Sequence, residues 1–267
     1  NISFGKIADL IALNLERLRW LPHLGKGKDA VIINIPEFML RVYRNNKKKL
    51  EMRVVTGTEF NATPVFNDTL KYIVFSPTWT VPKSIIANEM LAKLKEDPKY
   101  YNERGFTFYK DDEEINPAKE KWDKKDIDIK AYKIVQSPGT ANALGDVKFV
   151  MPNDLNIYLH DTPADHLFRR EERAFSHGCI RLEKPVDFAL YLLEDQKKWN
   201  EQKVGEAMAA SEPLTIDLKR PYPVHIVYRT VWVDDDGLVH LRDDIYGHDK
   251  RQLAQLRKNR EVAARAK

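Results

Sequence analysis

Apolar residues at Ile7, Leu10, Ile11, Leu15 and Leu18 recur at the three- and four-residue spacing of an amphipathic helix, and the pattern stops before Pro22. The period then shortens to two. Val31-Ile32-Ile33-Asn34-Ile35, Met39-Leu40-Arg41-Val42-Tyr43 and Leu50-Glu51-Met52-Arg53-Val54-Val55 are β-rich runs separated by Pro36 and by Asn45-Asn46, which predicts a meander. Tyr72-Ile73-Val74-Phe75 adds a strand closed by Ser76-Pro77. From about Pro82 to Gln136 the texture changes. Ile85, Ile86, Glu89, Met90 and Leu94 predict a helix, and Asp111-Asp112-Glu113-Glu114 with the Lys/Asp mixture of 119–130 predicts an exposed, polar and mobile excursion. Residues 82–136 are thus expected to be an insertion and not part of the core. Strand patterns resume at Val147-Lys148-Phe149-Val150 and Asn156-Ile157-Tyr158-Leu159-His160, and a helix is expected from Pro185 through Leu193. Near the end, residues 224–233 and 238–242 flank Asp234-Asp235-Asp236-Gly237, a hairpin turn.

Composition narrows the class. A chain of 267 residues, 43% hydrophobic and 31% charged, suits a soluble globular protein with one catalytic unit and an insertion. No run approaches the roughly 20 apolar residues a membrane helix requires, so no membrane span is expected. The net charge is +4, but residues 250–267 hold seven basic residues and one acid, so they carry +6 and leave the remainder at −2. That opposes a basic nucleic-acid groove in the body, and the tail reads as a solvated basic segment. The chain begins at Asn1 without Met or a charged-then-apolar leader, as expected of a trimmed or mature product.

Cys179 is the one cysteine, so no internal disulfide can form and the thiol needs another reason to be there. It sits in Ser176-His177-Gly178-Cys179-Ile180-Arg181. Thiolate is the nucleophilic form of cysteine, and imidazole is the side chain that takes its proton near neutrality. His160 ends an alternating run in which Ile157 and Leu159 would be buried while Tyr158 and His160 face the other way. The fifteen residues 161–175 are long enough to bring the chain back beside it. Gly178 permits a tight turn, and the amides of Gly178 and Cys179 are candidate donors to an oxyanion. His160, His166, His177 and Cys179 offer zinc-ligand types within twenty residues, but the usual ligand spacing is missing, and no metal or other cofactor is expected. Ser176 lacks a nucleophile elbow and reads as a local hydrogen-bonding or substrate-contacting residue. Arg181 suits either a substrate carboxylate or a scaffold. Trp79 either lines a cleft at the root of the insertion or packs in the core.

His160, fifteen intervening residues, and then Ser176-His177-Gly178-Cys179-Ile180-Arg181 resemble the signature of the L,D-transpeptidases, the YkuD-type cysteine enzymes that cross-link peptidoglycan. The likeness extends to Glu16-Arg17-Leu18-Arg19-Trp20-Leu21-Pro22, Ile33-Asn34-Ile35-Pro36-Glu37, Val55-Thr56-Gly57 with Thr63-Pro64, Asn142-Ala143-Leu144-Gly145, Met151-Pro152-Asn153 and Tyr158-Leu159-His160-Asp161-Thr162-Pro163. These resemble the large periplasmic subgroup with a capping insertion.

The resemblance implies a mainly β, α+β fold: a mixed β-sandwich with short helices and a partly helical cap. It divides the chain into a linker helix at 1–24, a catalytic domain at 25–249 and a basic tail at 250–267. It implies Cys179 as nucleophile and His160 as the base for the thiol and later for the acceptor amine. His177 would shape the loop or assist the thiol. Arg181, Ser176, Tyr158 and Trp79 would contact substrate. The implied reaction forms 3→3 cross-links through a cysteinyl thioester with loss of terminal D-Ala. L,D-carboxypeptidase action, attachment of a lipoprotein lysine and a silent wall-binding domain are the alternatives. Peptidoglycan stem peptides are the implied partners, with other cell-wall synthesis proteins as further ones, in the periplasm or cell envelope.

Overall fold

The computed structural model describes residues 4–20, 29–124, 127–234 and 236–265. Helix α1 (Phe4–Arg19) forms where the periodicity places it but turns a different face inward. Leu10, Leu13, Asn14 and Arg17 are buried, whereas Ile11, Leu15 and Leu18 are exposed. Polar partners from the far end of the chain select that face. Arg17 pairs with Asp249 at 2.6 Å, and the Asn14 amide donates to Thr230 Oγ1 at 3.0 Å.

Strands β1 (Ala30–Asn34), β2 (Met39–Arg44), β3 (Lys47–Gly57) and β4 (Phe66–Phe75) follow the predicted runs. The insertion opens with β5 (Trp79–Thr80), three residues earlier than expected. It continues through α2 (Lys83–Ile85), a π-helical turn at Ile86–Met90, α3 (Leu91–Glu96), β6 (Phe106–Lys110), β7 (Glu113–Ile115) and β8 (Tyr132–Gln136). Contrary to the polar, mobile excursion expected, these strands form their own sheet in the order β5-β8-β6-β7 over a separate apolar cluster. Phe106, Phe108, Trp122, Tyr132 and Ile134 are buried in it. Phe106-Thr107-Phe108 and Tyr132-Lys133-Ile134 alternate with period two, which puts the polar members outside and the rings inside.

The chain returns through β9 (Val147–Val150), β10 (Leu159–His160), β11 (Ala174–Ser176) and β12 (Ile180–Leu182). Helices α4 (Pro185–Leu193) and α5 (Glu201–Met208) precede the long β13 (Leu214–Val227). The predicted strand at 224–233 is split. Its first part ends β13, and the hairpin consists of β14 (Val231–Val233) and β15 (Val239–Leu241) alone. The break lets the Tyr228 carbonyl accept from Arg17 and the Thr230 amide donate to Asn14.

The main sheet runs β11-β3-β12-β10-β9-β4-β13-β1-β2, and β2 pairs back with β3, so the sheet closes on itself. It is mixed: β1/β13, β10/β12 and β11/β3 are parallel and the other pairs antiparallel. Its interior is filled by Ile33, Leu40, Phe75, Phe149, Leu159 and Ile180, with Phe188 and Leu192 of α4 packed on. The fold is therefore the β-rich architecture with short helices that the sequence led us to expect. No helix among the described residues is long and apolar enough to cross a membrane.

α6 (His248–Arg265) starts two residues before the basic tail and runs into it; Lys250 and Arg251 are exposed as expected, but Gln252 accepts from Arg17 Nε at 3.0 Å. Just before the tail, buried Asp249 joins Arg17 and accepts from Thr230 Oγ1 at 2.6 Å. Removing one member of a buried pair strands the other charge, which costs about 3–5 kcal/mol. Asp249→Ala is expected to lower the unfolding free energy in urea by about that amount, and the apolar double replacement Arg17→Met/Asp249→Leu to cost far less.

Candidate active site

Two short parallel strands position the chemistry. β10 pairs with β12 so that Leu159 lies beside Ile180 and His160 beside Arg181. The strand expected at 156–160 is only two residues long, because Asn156 adopts a left-handed φ of 54° and turns the chain just before it. The alternation still holds: Ile157 and Leu159 join the core, while Tyr158 and His160 project into a hollow of about 790 Å³. Trp79, Ser176, His177, Cys179 and Arg181 line the same hollow. All seven side chains proposed from sequence for chemistry or substrate contact therefore meet in one place. His166 sits in the 3₁₀ turn Asp165–Arg169 and does not line it.

The cysteine loop is braced from behind by residues to which the sequence reading gave no role. Thr63 Oγ1 donates to the Gly178 carbonyl at 2.8 Å and accepts from the Gly57 amide at 2.9 Å, and the Tyr246 hydroxyl donates to the Gly57 carbonyl at 2.6 Å. Gly57 admits no side chain, since a Cβ there would lie 1.9 Å from the Asn61 carbonyl oxygen. Gly178 has φ 114°, open to glycine and strained for other residues. Ser176 is 2% exposed and acts within the loop: its hydroxyl donates to the Cys179 carbonyl at 2.5 Å and accepts from the Gly178 amide at 3.1 Å. These bonds fit the local hydrogen-bonding alternative for Ser176, and its hydroxyl already engages the Gly178 amide that was expected to donate to an oxyanion.

Burial raises the Cys179 thiol pKa, opposed by the amide and hydroxyl of Tyr158 and by the charges of Arg181 and Lys148. Cys179 Sγ lies 3.6 Å from the Asn156 carbonyl, and among the described residues no hydrogen bond joins it to an imidazole. Burial also lowers the His160 pKa, to about 3, assisted by Arg181 and Lys148 and resisted by the carbonyls of Asp161 and Leu144. Arg181 is its partner on β12 and Lys148 its partner on β9. His160 Nδ1 is 2.5 Å from the Asp161 carbonyl, which fixes the proton on Nδ1 and leaves the lone pair on Nε2. The orienting group is thus a main-chain oxygen. A papain-like site would use an Asn or Asp side chain.

The insertion supplies the opposite wall. Trp79 on β5 lines the hollow together with Tyr158 and Cys179, and it offsets part of the rise that burial and the neighbouring thiol impose on the Tyr158 hydroxyl pKa. From the π-helical turn, Glu89 Oε1 meets His177 Nε2 at 2.5 Å. The helix expected around residues 85–94 includes that carboxylate, but spacing along the chain does not connect it with His177, 88 positions away.

Residues 28–204 match the family profile of the L,D-transpeptidase catalytic domain. A curated Haemophilus influenzae protein, named as an inferred L,D-transpeptidase, is 35% identical over 252 residues, covering 94% of this chain and 50% of that protein. The chain therefore spans about half the length of that relative. Among solved structures, an L,D-transpeptidase from Mycobacterium smegmatis shares 13% identity over 75% of this chain and 58% of its own, with a TM-score of 0.37. L,D-transpeptidase 3 from Mycobacterium tuberculosis with a faropenem-derived adduct shares 12% over 74% and 59%, with a TM-score of 0.36. With the match over residues 28–204 and the close curated relative, the chain belongs to the L,D-transpeptidase catalytic-domain family.

Proposed function

We propose that this chain is a peptidoglycan L,D-transpeptidase of the cell envelope that forms 3→3 cross-links through a thioester on Cys179. The observation that carries this reading is the shared hollow: one thiol and one oriented imidazole open into the same space, under a wall supplied by the insertion.

The resting pair is neutral. A buried thiol and a buried imidazole flanked by two cations both resist charge, so the proton moves from Sγ to His160 Nε2 as the sulfur attacks rather than beforehand. Attack falls on the carbonyl after the L-centre of the third stem residue in a tetrapeptide donor. The Cys179 amide and the Tyr158 hydroxyl receive the oxyanion, His160 returns the proton to the leaving amine, and D-Ala departs. A second stem's diamino-acid amine then gives up a proton to His160 and attacks the thioester. Arg181, with Lys148 beside it, supplies the positive field that favours sulfur's anionic form and suits the donor's terminal carboxylate. His177 orders the loop.

Water competes with the amine for the thioester, so transfer requires a site that holds the amine and limits solvent. The insertion fills that role through Trp79 and Glu89.

Intact mass after carbapenem exposure should show one adduct, absent from Cys179→Ala; an adduct that persists in the variant would refute the nucleophile. Mass spectrometry of products from defined tetrapeptide muropeptides should reveal dimers lacking one D-Ala. Trimmed tripeptide alone would mark a carboxypeptidase, and unchanged substrate a silent wall-binding domain.

Acidity gives a third readout. His160 is protonated near pH 6.5 in the unfolded chain but only near about 3 when folded, so the unfolded state binds more protons between those values. Stability should therefore fall as pH drops from 6.5 towards 3, by up to about 1.4 kcal/mol per pH unit. Urea midpoints should drop less on acidification for His160→Gln than for the parent; equal drops would contradict a buried neutral imidazole.

A further inference from the structure

We infer that Glu89, carried by the insertion, is the docking group for the cationic amine of the acceptor peptide. This rests on the proposed transfer reaction and names the element that would select its second substrate.

Charge supplies the first argument. Among the described residues that line the hollow, Glu89 is the one carboxylate. Lys83, a cation on the same wall, is already bound to main-chain carbonyls of the insertion, at 3.0 Å for Lys130 and also to Tyr132. On the far side Arg181 lies in the hollow and Lys148 beside His160, both next to the thiol in charge terms. The space is thus positive behind the sulfur and negative at the insertion. A donor peptide ends in a carboxylate and an acceptor presents an ammonium, so this polarity sorts the two.

Position supplies the second. Glu89 Oε1 is held 2.5 Å from His177 Nε2, and His177 is two residues before Cys179. An ammonium bound there waits beside the carbonyl that the sulfur carries. The carboxylate has capacity for it, since two oxygens offer about four lone-pair sites and His177 uses one. Its side chain is 52% exposed, which leaves room for an incoming group. The π-helical turn Ile86–Met90 is what places it, an irregularity often found at functional positions.

The step balances. The docked ammonium loses one proton to neutral His160, and its nitrogen attacks the thioester carbonyl carbon. The C–N bond forms as the C–S bond breaks, and a second proton passes from nitrogen to the departing Cys179 sulfur. One hydrogen stays on the new amide, and His160 releases the proton it took to water, which restores the neutral pair.

Glu89→Gln separates charge docking from simple bracing, because the glutamine carbonyl still accepts from His177 but carries no charge. With a diamino-acid tetrapeptide as acceptor, Glu89→Gln should raise the acceptor KM by about tenfold or more and lower the ratio of cross-linked to hydrolysed product. Glu89→Asp should recover part of the loss. In the parent the acceptor KM should rise with ionic strength, and in Glu89→Gln that dependence should flatten. A Glu89→Gln protein with parental KM and salt dependence would overturn the proposal, including the case where only Glu89→Ala is impaired. The two readings fail separately: no carbapenem adduct on the unsubstituted chain would sink the transfer reaction itself, whereas an adduct with an acceptor KM indifferent to residue 89 would sink only this one.

Discussion

The pairing of two very short parallel strands is the constraint on which the site depends. β10 and β12 share only two partnered positions, yet they set the imidazole of His160 one strand away from the segment that carries the thiol. Adjacent strands lie about 4.8 Å apart, so the register fixes the relation of imidazole and thiol more firmly than the intervening loop could. A slip of one residue would turn His160 into the core and Leu159 into the hollow. Burial on both sides forbids that slip: Leu159 and Ile180 are fully enclosed, and β9 and β3 flank the pair. The rest of the bracing, from Tyr246 through Gly57 and Thr63 to Gly178, serves to keep the loop against this register.

Electrostatics follow from the same placement. A base in the middle of a closed sheet loses its water, and its strand neighbours on both sides are cations. Such an imidazole does not store a proton at rest. In the proposed reaction it takes one only while negative charge develops on sulfur or on the attacked carbonyl, when the flanking cations change from a penalty into a stabilising field. In the proposed reaction Arg181 thus acts through its charge, whether or not it touches substrate.

What the sequence made legible was local. Ser176-His177-Gly178-Cys179 and the alternation ending at His160 are patterns within a few residues, so a thiol and an imidazole facing one hollow were readable. Thr63, Tyr246 and Lys148 reach the site through partners 115, 189 or 12 positions away, and no spacing rule connects them. Two errors have the same origin. On α1 the most apolar stripe looked like the buried face, but Arg17 and Asn14 found buried partners at Asp249 and Thr230 and rotated the helix. In the insertion the density of charge hid alternating aromatics, because lysines and acids on one face of a small sheet do not prevent rings from packing on the other.

The presence of two separate apolar clusters has a thermodynamic consequence. The cluster around Phe108 and Trp122 and the one around Phe149 and Leu159 are distinct, so each can melt with its own cooperativity. The smaller body can then loosen and re-form while the closed sheet keeps its register. Access to the thiol becomes a local equilibrium, tunable by substitutions in the minor cluster that leave the nucleophile's surroundings untouched.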